Sequence, residues 1–473
     1  MPLKAVDEGV IKGIADALRE ANDNPNAKYK PKDFPAAVSR ASDLGGEHDL
    51  TFKPAIDNIP RRTFVSEIKN FSFGEGQIEP NSVNPKRENV IEGHTIVGRL
   101  TDTKFVTVYK QQNEIRAVIG NINNNVISYE VPHVLQRILS DEAPSDYFAK
   151  VHYMKIAVLS PTRVIISFGS TYSNHQYGKL KAFMSLKING NSIQEETALT
   201  VVSEYGDYTS LLPIAEDIFL VIAYDGSHGT LFMLKVDSNR ITYYKNKINI
   251  GGCTDIYTNY AMTLLSDSIV AVTATQNNQV WVHPYVINEE GIAKKYQSAV
   301  FDLAGAYNVT TALINENKFL LFVGAQGKLY GRTVTVSQNT LFGSLGMLMT
   351  GIWYQFNLVR IDVHSFVVGM FTNSIPNQET LSVISAYDVN GDDITLIQEY
   401  TLEGTCYGVV ERINENTILT CSTLISTGAV LCSIFGAKFG VTVADGTQPI
   451  LGLTTMAANK GEMATIAIPR GSH

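Results

Sequence analysis

Only four cysteines and two tryptophans occur in 473 residues, and Asp, Glu, Lys and Arg together make up just 18%. The cysteines, Cys253, Cys406, Cys421 and Cys432, form no C-x-x-C pair, and each stands beside strand-like apolar residues. That argues against a metal centre and for free, buried thiols made in a reducing compartment. The formal net charge is −8 and no run of Lys and Arg stands out, so a wrapped nucleic acid is not an expected partner. No apolar stretch approaches the ~20 residues needed to span a bilayer, so membrane insertion is not expected. The opening, Met1-Pro2-Leu3-Lys4, leads into a charged periodic segment and not into an apolar signal core. Glycine-rich phosphate motifs of the P-loop or dinucleotide type are missing too, and no cofactor is expected.

What is present is a 44% hydrophobic chain, long enough to bury a large core. Its first part, residues 1–44, reads as a short helical segment. Val6, Val10, Ile14 and Leu18 recur every four residues, with Ile11 beside them, as one apolar stripe. A second short helix is expected from Asp33 to Arg40, with Phe34 and Val38 on one face. Two such helices cannot bury their stripes alone, so the segment is expected to cap the rest of the chain or to attach it to a partner. Residues 45–93 read as a connector with strand-like pieces, Thr63-Phe64-Val65 and Phe71-Ser72-Phe73, one of which is expected to close a ring formed by the repeats that follow.

From residue 94 the pattern repeats. Each unit has an apolar strand, a tight polar turn and a second apolar strand. The second strands begin at Phe105, Val164, Ile218, Ile269, Phe319, Phe366 and Ile418, 47 to 59 residues apart. A second landmark, an Asn/Asp/Gly hairpin leading into another strand, recurs with a similar period. It is found at Asn123-Asn124-Asn125, Asn189-Gly190-Asn191, Asp237-Ser238-Asn239, Asn288-Glu289-Glu290-Gly291, Ser337-Gln338-Asn339 and Asn390-Gly391-Asp392. Four short strands per unit of about 50 residues make a small antiparallel sheet with two apolar faces. Stacking such sheets around an axis buries both faces and leaves short edges. The expected fold is mainly β: a seven-bladed β-propeller over residues 94–435, preceded by the helical N-terminal segment. Residues 436–469 read as a further small β element. Arg470-Gly471-Ser472-His473 (residues 470–473) read as the remnant of a tag.

The two ends carry a resemblance. Ile14-Ala15-Asp16-Ala17-Leu18-Arg19-Glu20, followed by Tyr29-Lys30-Pro31-Lys32-Asp33-Phe34 and Ala36-Ala37-Val38, resembles the opening of many tail and tail-fibre proteins of tailed bacteriophages. The chain departs from that pattern in a longer polar turn and in Pro35. Ile450-Leu451-Gly452-Leu453, with Ala457-Ala458 and Gly461 to Ile466, is similar to the glycine-spaced ends of such proteins. The resemblance implies a receptor-binding-like virion protein of the tail, assembled in the bacterial host cytoplasm. Its N-terminal segment would attach to other phage tail proteins, and its β domain would meet a host cell-surface glycan or protein. A homo-oligomer is compatible with this reading.

No catalytic constellation emerges from the residues. Asp388-Val389-Asn390-Gly391-Asp392-Asp393 looks like a calcium loop but lacks its closing acid and occupies a hairpin position. Tyr224-Asp225-Gly226-Ser227-His228 juxtaposes an acid, a hydroxyl and an imidazole, yet a triad is a spatial arrangement; the stretch reads as a loop. Lone histidines such as His152 and His364 read as structural. Paired carboxylates would serve glycoside hydrolysis, and Asp207, Asp225 and Asp255 lie in loops, so a polysaccharide-degrading propeller, hydrolase or lyase, is the alternative. A purely structural tail or baseplate adaptor is the third reading. Tyrosine leans towards recognition, because it offers apolar area and a hydroxyl at low entropic cost. The expected binding residues are Tyr172, His175, Tyr208, Tyr224, Asp225, His228, Tyr257 and Tyr354. Tyr177, Tyr205, Tyr260, Asn174, Asn277 and Asn278 lie beside them.

Overall fold

A computed structural model describes residues 48–54, 64–73, 95–137, 147–171, 179–203, 209–224, 228–250, 259–361, 365–372, 382–443, 450–454 and 463–469, without 112, 124–125, 277, 345, 351–352, 403–404, 415–416 and 425–429. The chain divides into two compact units, residues 72–437 and residues 1–71 with 438–473.

The larger unit is built from six antiparallel blades. Blade 1 begins with strands Ile96–Thr101, Lys104–Gln111 and Glu114–Asn123. Blade 2 begins with Val151–Ser160, Arg163–Thr171 and Lys179–Asn189. Blade 3 comprises Thr209–Pro213, Ile218–Tyr224, Gly229–Asp237 and Arg240–Ile250. Blades 4 and 5 begin at Asn259–Ser266 and Ala306–Asn315, and blade 6 runs from Trp353–Arg360 to Asp393–Leu402. In blades 1, 2, 4 and 5 the outer place is shared by two short strands, such as Ser192–Glu195 and Thr200–Ser203 in blade 2. Blades 3 and 6 carry one long outer strand broken by a register shift, at Phe232/Met233 and Ala386/Tyr387. Both devices interrupt an edge that could otherwise pair with another chain.

The repeated apolar strands do what their pattern requires. Phe105, Phe219, Phe319 and Phe366, at or next to the starts of second strands, have no accessible surface. Each core cluster draws from neighbouring blades: Leu231 and Met233 of blade 3 join Val270 and Val272 of blade 4, and Leu320 and Phe322 of blade 5 join Val368 and Met370 of blade 6. Burying each such side chain contributes about 1.5–3 kcal/mol.

The expectation of seven blades is corrected to six. The last repeat contributes Thr405–Asn414, Thr417–Leu424 and Val430–Val443, whose first strand lies against the inner strands of blades 6 and 1. It has no outer hairpin of its own, because Val430–Val443 runs for 14 residues without a polar turn. The hairpin landmark already ends with its sixth member, at Asn390-Gly391-Asp392; counting second strands alone overstated the number of blades. The helical segment expected over 1–44 lies outside the described residues and is no part of the fold class. Among the described residues there is no α-helix, and Tyr147–Lys150 forms a turn of 3-10 helix.

In the smaller unit the two ends of the chain pair. His48–Pro54 runs antiparallel to Met463–Pro469, His48 opposite Pro469. Ile450–Thr454 pairs with Met463–Pro469 and, through Phe64 opposite Leu453, with Phe64–Phe73.

Candidate functional site

Antiparallel alternation sorts the connections of each blade to two ends. At one end lie the tight turns between first and second strands and the Asn/Asp/Gly hairpins. At the other, the second strand passes to the third and the outer strand passes to the next blade. In blade 2 this loop end carries Thr171 opposite Lys179. In blade 3 it carries Thr209 opposite Ala223, and Gly229 opposite both Tyr224 and Ile250.

Tyr224 and His228 sit at this loop end of blade 3, at the close of the second strand and just before the third. Tyr224 is buried and so is Tyr260, which joins the core between blades 3 and 4; neither ring presents a face to solvent. His228 is half-buried. Tyr354 belongs to strand Trp353–Arg360, in blade 6, and is not brought beside the blade 3 pair. Tyr172, His175, Tyr208, Asp225 and Tyr257 lie outside the described residues, as do Tyr177, Tyr205, Asn174, Asn277, Asp207, Asp255 and His364. Asn278 is described and adopts a positive φ of 65° in the turn before Gln279.

The calcium-like stretch is a hairpin, Asn390 opposite Asp393, with Gly391 at φ 65°. Its Asp392 carboxylate accepts hydrogen bonds from Thr333 and from Lys318 of blade 5, the latter at 2.9 Å. Those bonds, Thr333 first, hold the carboxyl below the usual range. Lys104 of blade 1 clamps the Gly190 hairpin of blade 2 the same way, reaching Gly190 O at 3.3 Å and Asn191 Oδ1 at 2.7 Å. These hairpins join blades.

A cluster not anticipated from the sequence stands on blade 2. Tyr153 on the first strand, Gly169 on the second and Lys181 on the third lie in one row across the sheet. Gly169 has no side chain, and the fully buried Lys181 reaches over it, its Nζ 5.2 Å from the Tyr153 ring centre. Lys155, two residues on from Tyr153 and on the same face, has its Nζ 5.8 Å from that ring. Lys155 is exposed, yet burial lowers its pKa. The signal was a lysine set among Tyr153, Met154, Ile156 and Ala157 of an innermost strand.

Glu411, on the first strand of the last repeat, is half-buried, and burial raises its carboxyl to about 7, with Arg99 partly offsetting the shift. A shift of that kind marks candidate acids and bases. At the opposite, hairpin end, a cavity of about 670 Å³ opens between blades 4 and 5, lined by Leu265, Ile269, Tyr296, Asn317, Gln338 and Asn339 among others. Among the described residues no group of His, Cys, Asp and Glu is arranged to hold a metal ion, and no helix is long and apolar enough to cross a membrane.

No family model matches the chain, and no curated protein matches it either. Solved structures similar to it include the WD40 domain of Toxoplasma gondii coronin, at 8% identity and TM-score 0.46, covering 84% of this chain and 90% of that one. A protein from Lactobacillus plantarum is similar at 12% identity and TM-score 0.43, covering 66% and 88% of the two chains. A Dyadobacter fermentans protein of unknown function is similar at 9% identity and TM-score 0.40, over 80% and 99%.

Proposed function

We propose that the chain is a tail protein of a tailed bacteriophage whose propeller recognises a host surface glycan or protein without catalysing a reaction on it. The observation that carries this reading is on blades 2 and 3: the Lys155 and Lys181 ammonium groups lie 5.8 and 5.2 Å from the Tyr153 ring of blade 2, and the half-buried His228 sits at the loop end of blade 3. Sites on loops held by a rigid scaffold are the usual place for recognition, and ammonium groups beside an aromatic ring suit polar, oxygen-rich ligands. The phage setting rests on the resemblance at the two ends. In it, the N-terminal segment holds the protein to other tail proteins in the virion.

The test is adsorption. Purified protein added to host cells is expected to decorate them and to block phage attachment in proportion to its concentration. Protein that does neither would remove host recognition and favour the adaptor. A second reading, a polysaccharide-degrading enzyme, is favoured by Glu411, whose raised pKa suits a general acid. Release of reducing ends from envelope polysaccharide, lost in Glu411→Gln, would establish it.

A further inference from the structure

Cys421, on Thr417–Leu424, stands directly across the strand pair from Cys432, on Val430–Val443, and their Sγ atoms are 2.6 Å apart. Residues so opposed have Cα atoms about 4.5–5.5 Å apart, within the roughly 4.4–6.8 Å that a disulfide spans. The last repeat therefore holds two thiols where they can be joined without moving the backbone. Among the described residues no third His, Cys, Asp or Glu stands with them to make a metal site. Thr107 Oγ1 lies 3.9 Å from Cys421 Sγ.

The surroundings control when such a bond can form. The two cysteines share a core with Ile413 and Leu419 of the last repeat and with Phe105 and Ile127 of blade 1, so they lie in the seam where the last repeat meets blade 1. Neither has accessible surface. Thiol–disulfide exchange needs a thiolate that the oxidant can reach. The closed seam denies that access, so exchange takes place while the repeat is still open, as the chain folds.

We propose that Cys421 and Cys432 are a disulfide site, oxidised by a small-molecule disulfide before the last repeat closes on blade 1. One cysteine thiolate attacks the S–S bond of the oxidant, releasing one thiolate and leaving a mixed disulfide. The second cysteine thiolate attacks the protein sulfur of that mixed disulfide and releases the other half of the oxidant. Two protein thiols are thereby oxidised to one disulfide. The oxidant is reduced to two thiols, which take up the two cysteine protons. A chain folded under reducing conditions keeps both thiols, sealed in the seam. A chain folded with the oxidant carries a bond between the second and third strands of the last repeat. This site does not depend on what the propeller recognises.

The experiment refolds the full reduced chain from urea with oxidised glutathione, or with reduced glutathione alone. Each product is then unfolded, its free thiols are alkylated with iodoacetamide, and its peptides are mapped without reduction. After oxidative folding the peptides of Cys421 and Cys432 should be found linked, two hydrogens lighter than the separate pair. The linked chain should unfold at a higher urea concentration than the reduced one, because the bond restricts the unfolded chain. With reduced glutathione alone both cysteines should be alkylated, and native reduced protein given oxidised glutathione should stay unlinked. Cys421→Ser should abolish both the link and the shift in urea midpoint. Should refolding fail, the same map of protein made in cells with an oxidising cytoplasm decides. Four results would each overturn the proposal: alkylation of both cysteines after oxidative folding, their pairing with Cys253 or Cys406 instead, linking of the native reduced protein, or a linked chain no harder to unfold than the reduced one.

Discussion

Asn357 clasps the backbone of Val410, 53 residues later: its Nδ2 donates to the Val410 carbonyl at 2.5 Å, and its Oδ1 accepts from the Val410 N–H at 2.9 Å. One side-chain amide thereby imitates a peptide group and joins the inner strand of blade 6 to that of the last repeat. Asn246 does the same for Ile292 between blades 3 and 4, with both bonds at 2.8 Å.

Replacing Asn357 by Leu would strand a part-buried backbone donor and acceptor at the join between blade 6 and the last repeat. Leaving such groups unmade costs about 1–3 kcal/mol. Urea unfolding of Asn357→Leu should show a loss of that size, with Asn357→Gln also destabilised because its longer arm misplaces both atoms. An Asn357→Leu midpoint equal to the parent's would show that the clasp contributes nothing.

Gly120 faces Phe105 across the strand pair, and a Cβ there would meet the ring's Cζ at 2.1 Å. Phe105 has no accessible surface and no room to yield. Gly120→Ala should therefore cost about 1–3 kcal/mol, the range for overpacking. Gly190 has open space around it but a φ of +63°, so Gly190→Ala should cost about 1 kcal/mol from backbone strain alone. Thermal melting that ranks the two in the opposite order would contradict the packing described.

Two titratable groups give opposite pH dependences. Burial raises Glu411 to about 7, so the folded state holds its proton more tightly than the unfolded chain. The stability it contributes is present below pH 4.5 and is lost as pH rises through about 7. His283, against Trp281 in a parallel stack and bonded through Nδ1 to Ser298 at 2.7 Å, is lowered to about 4 by burial and then by Lys294. Its contribution is present above pH 6.5 and is lost as pH falls through about 4. Relative to the parent, Glu411→Gln should gain stability as pH rises from about 4.5 to 7, and His283→Gln should gain it as pH falls from about 6.5 to 4. Denaturant midpoints measured across that range test both signs, and parallel curves for parent and variants would refute them.

Cys421 lies opposite Cys432 across a strand pair, both fully buried and both free thiols. Burial pushes the Cys421 thiol up, which removes the reactive thiolate at neutral pH. Alkylation with iodoacetamide should leave both positions unmodified in native protein and label both after unfolding, as read by peptide mass mapping. Labelling of either in the native state would place it at the surface.

Much of the fold was legible because a strand writes its burial in a period of two and a hairpin needs particular residues. Gly391, at φ 65°, and the fully buried Phe366 are such positions, visible without coordinates. The blade count was misjudged because an inner pair such as Thr405–Asn414 with Thr417–Leu424 looks the same whether or not an outer hairpin follows. The candidate site was less legible. Tyr224 and Tyr260 looked like display residues, and only the stacking of neighbouring blades shows that they are buried.

The sequence by itself determined the strands, their tight turns and the repeated sheet, since those depend on residues a few places apart. Tertiary structure alone decided what crosses between blades and strands. It set Asn357 on Val410, put Lys155 beside the Tyr153 ring and brought Lys181 over the gap that Gly169 leaves. The physical reason is that these contacts join residues whose separation along the chain carries no periodic signal. Their partners are chosen when the blades pack face to face, and that packing is a property of the closed ring and of no single repeat.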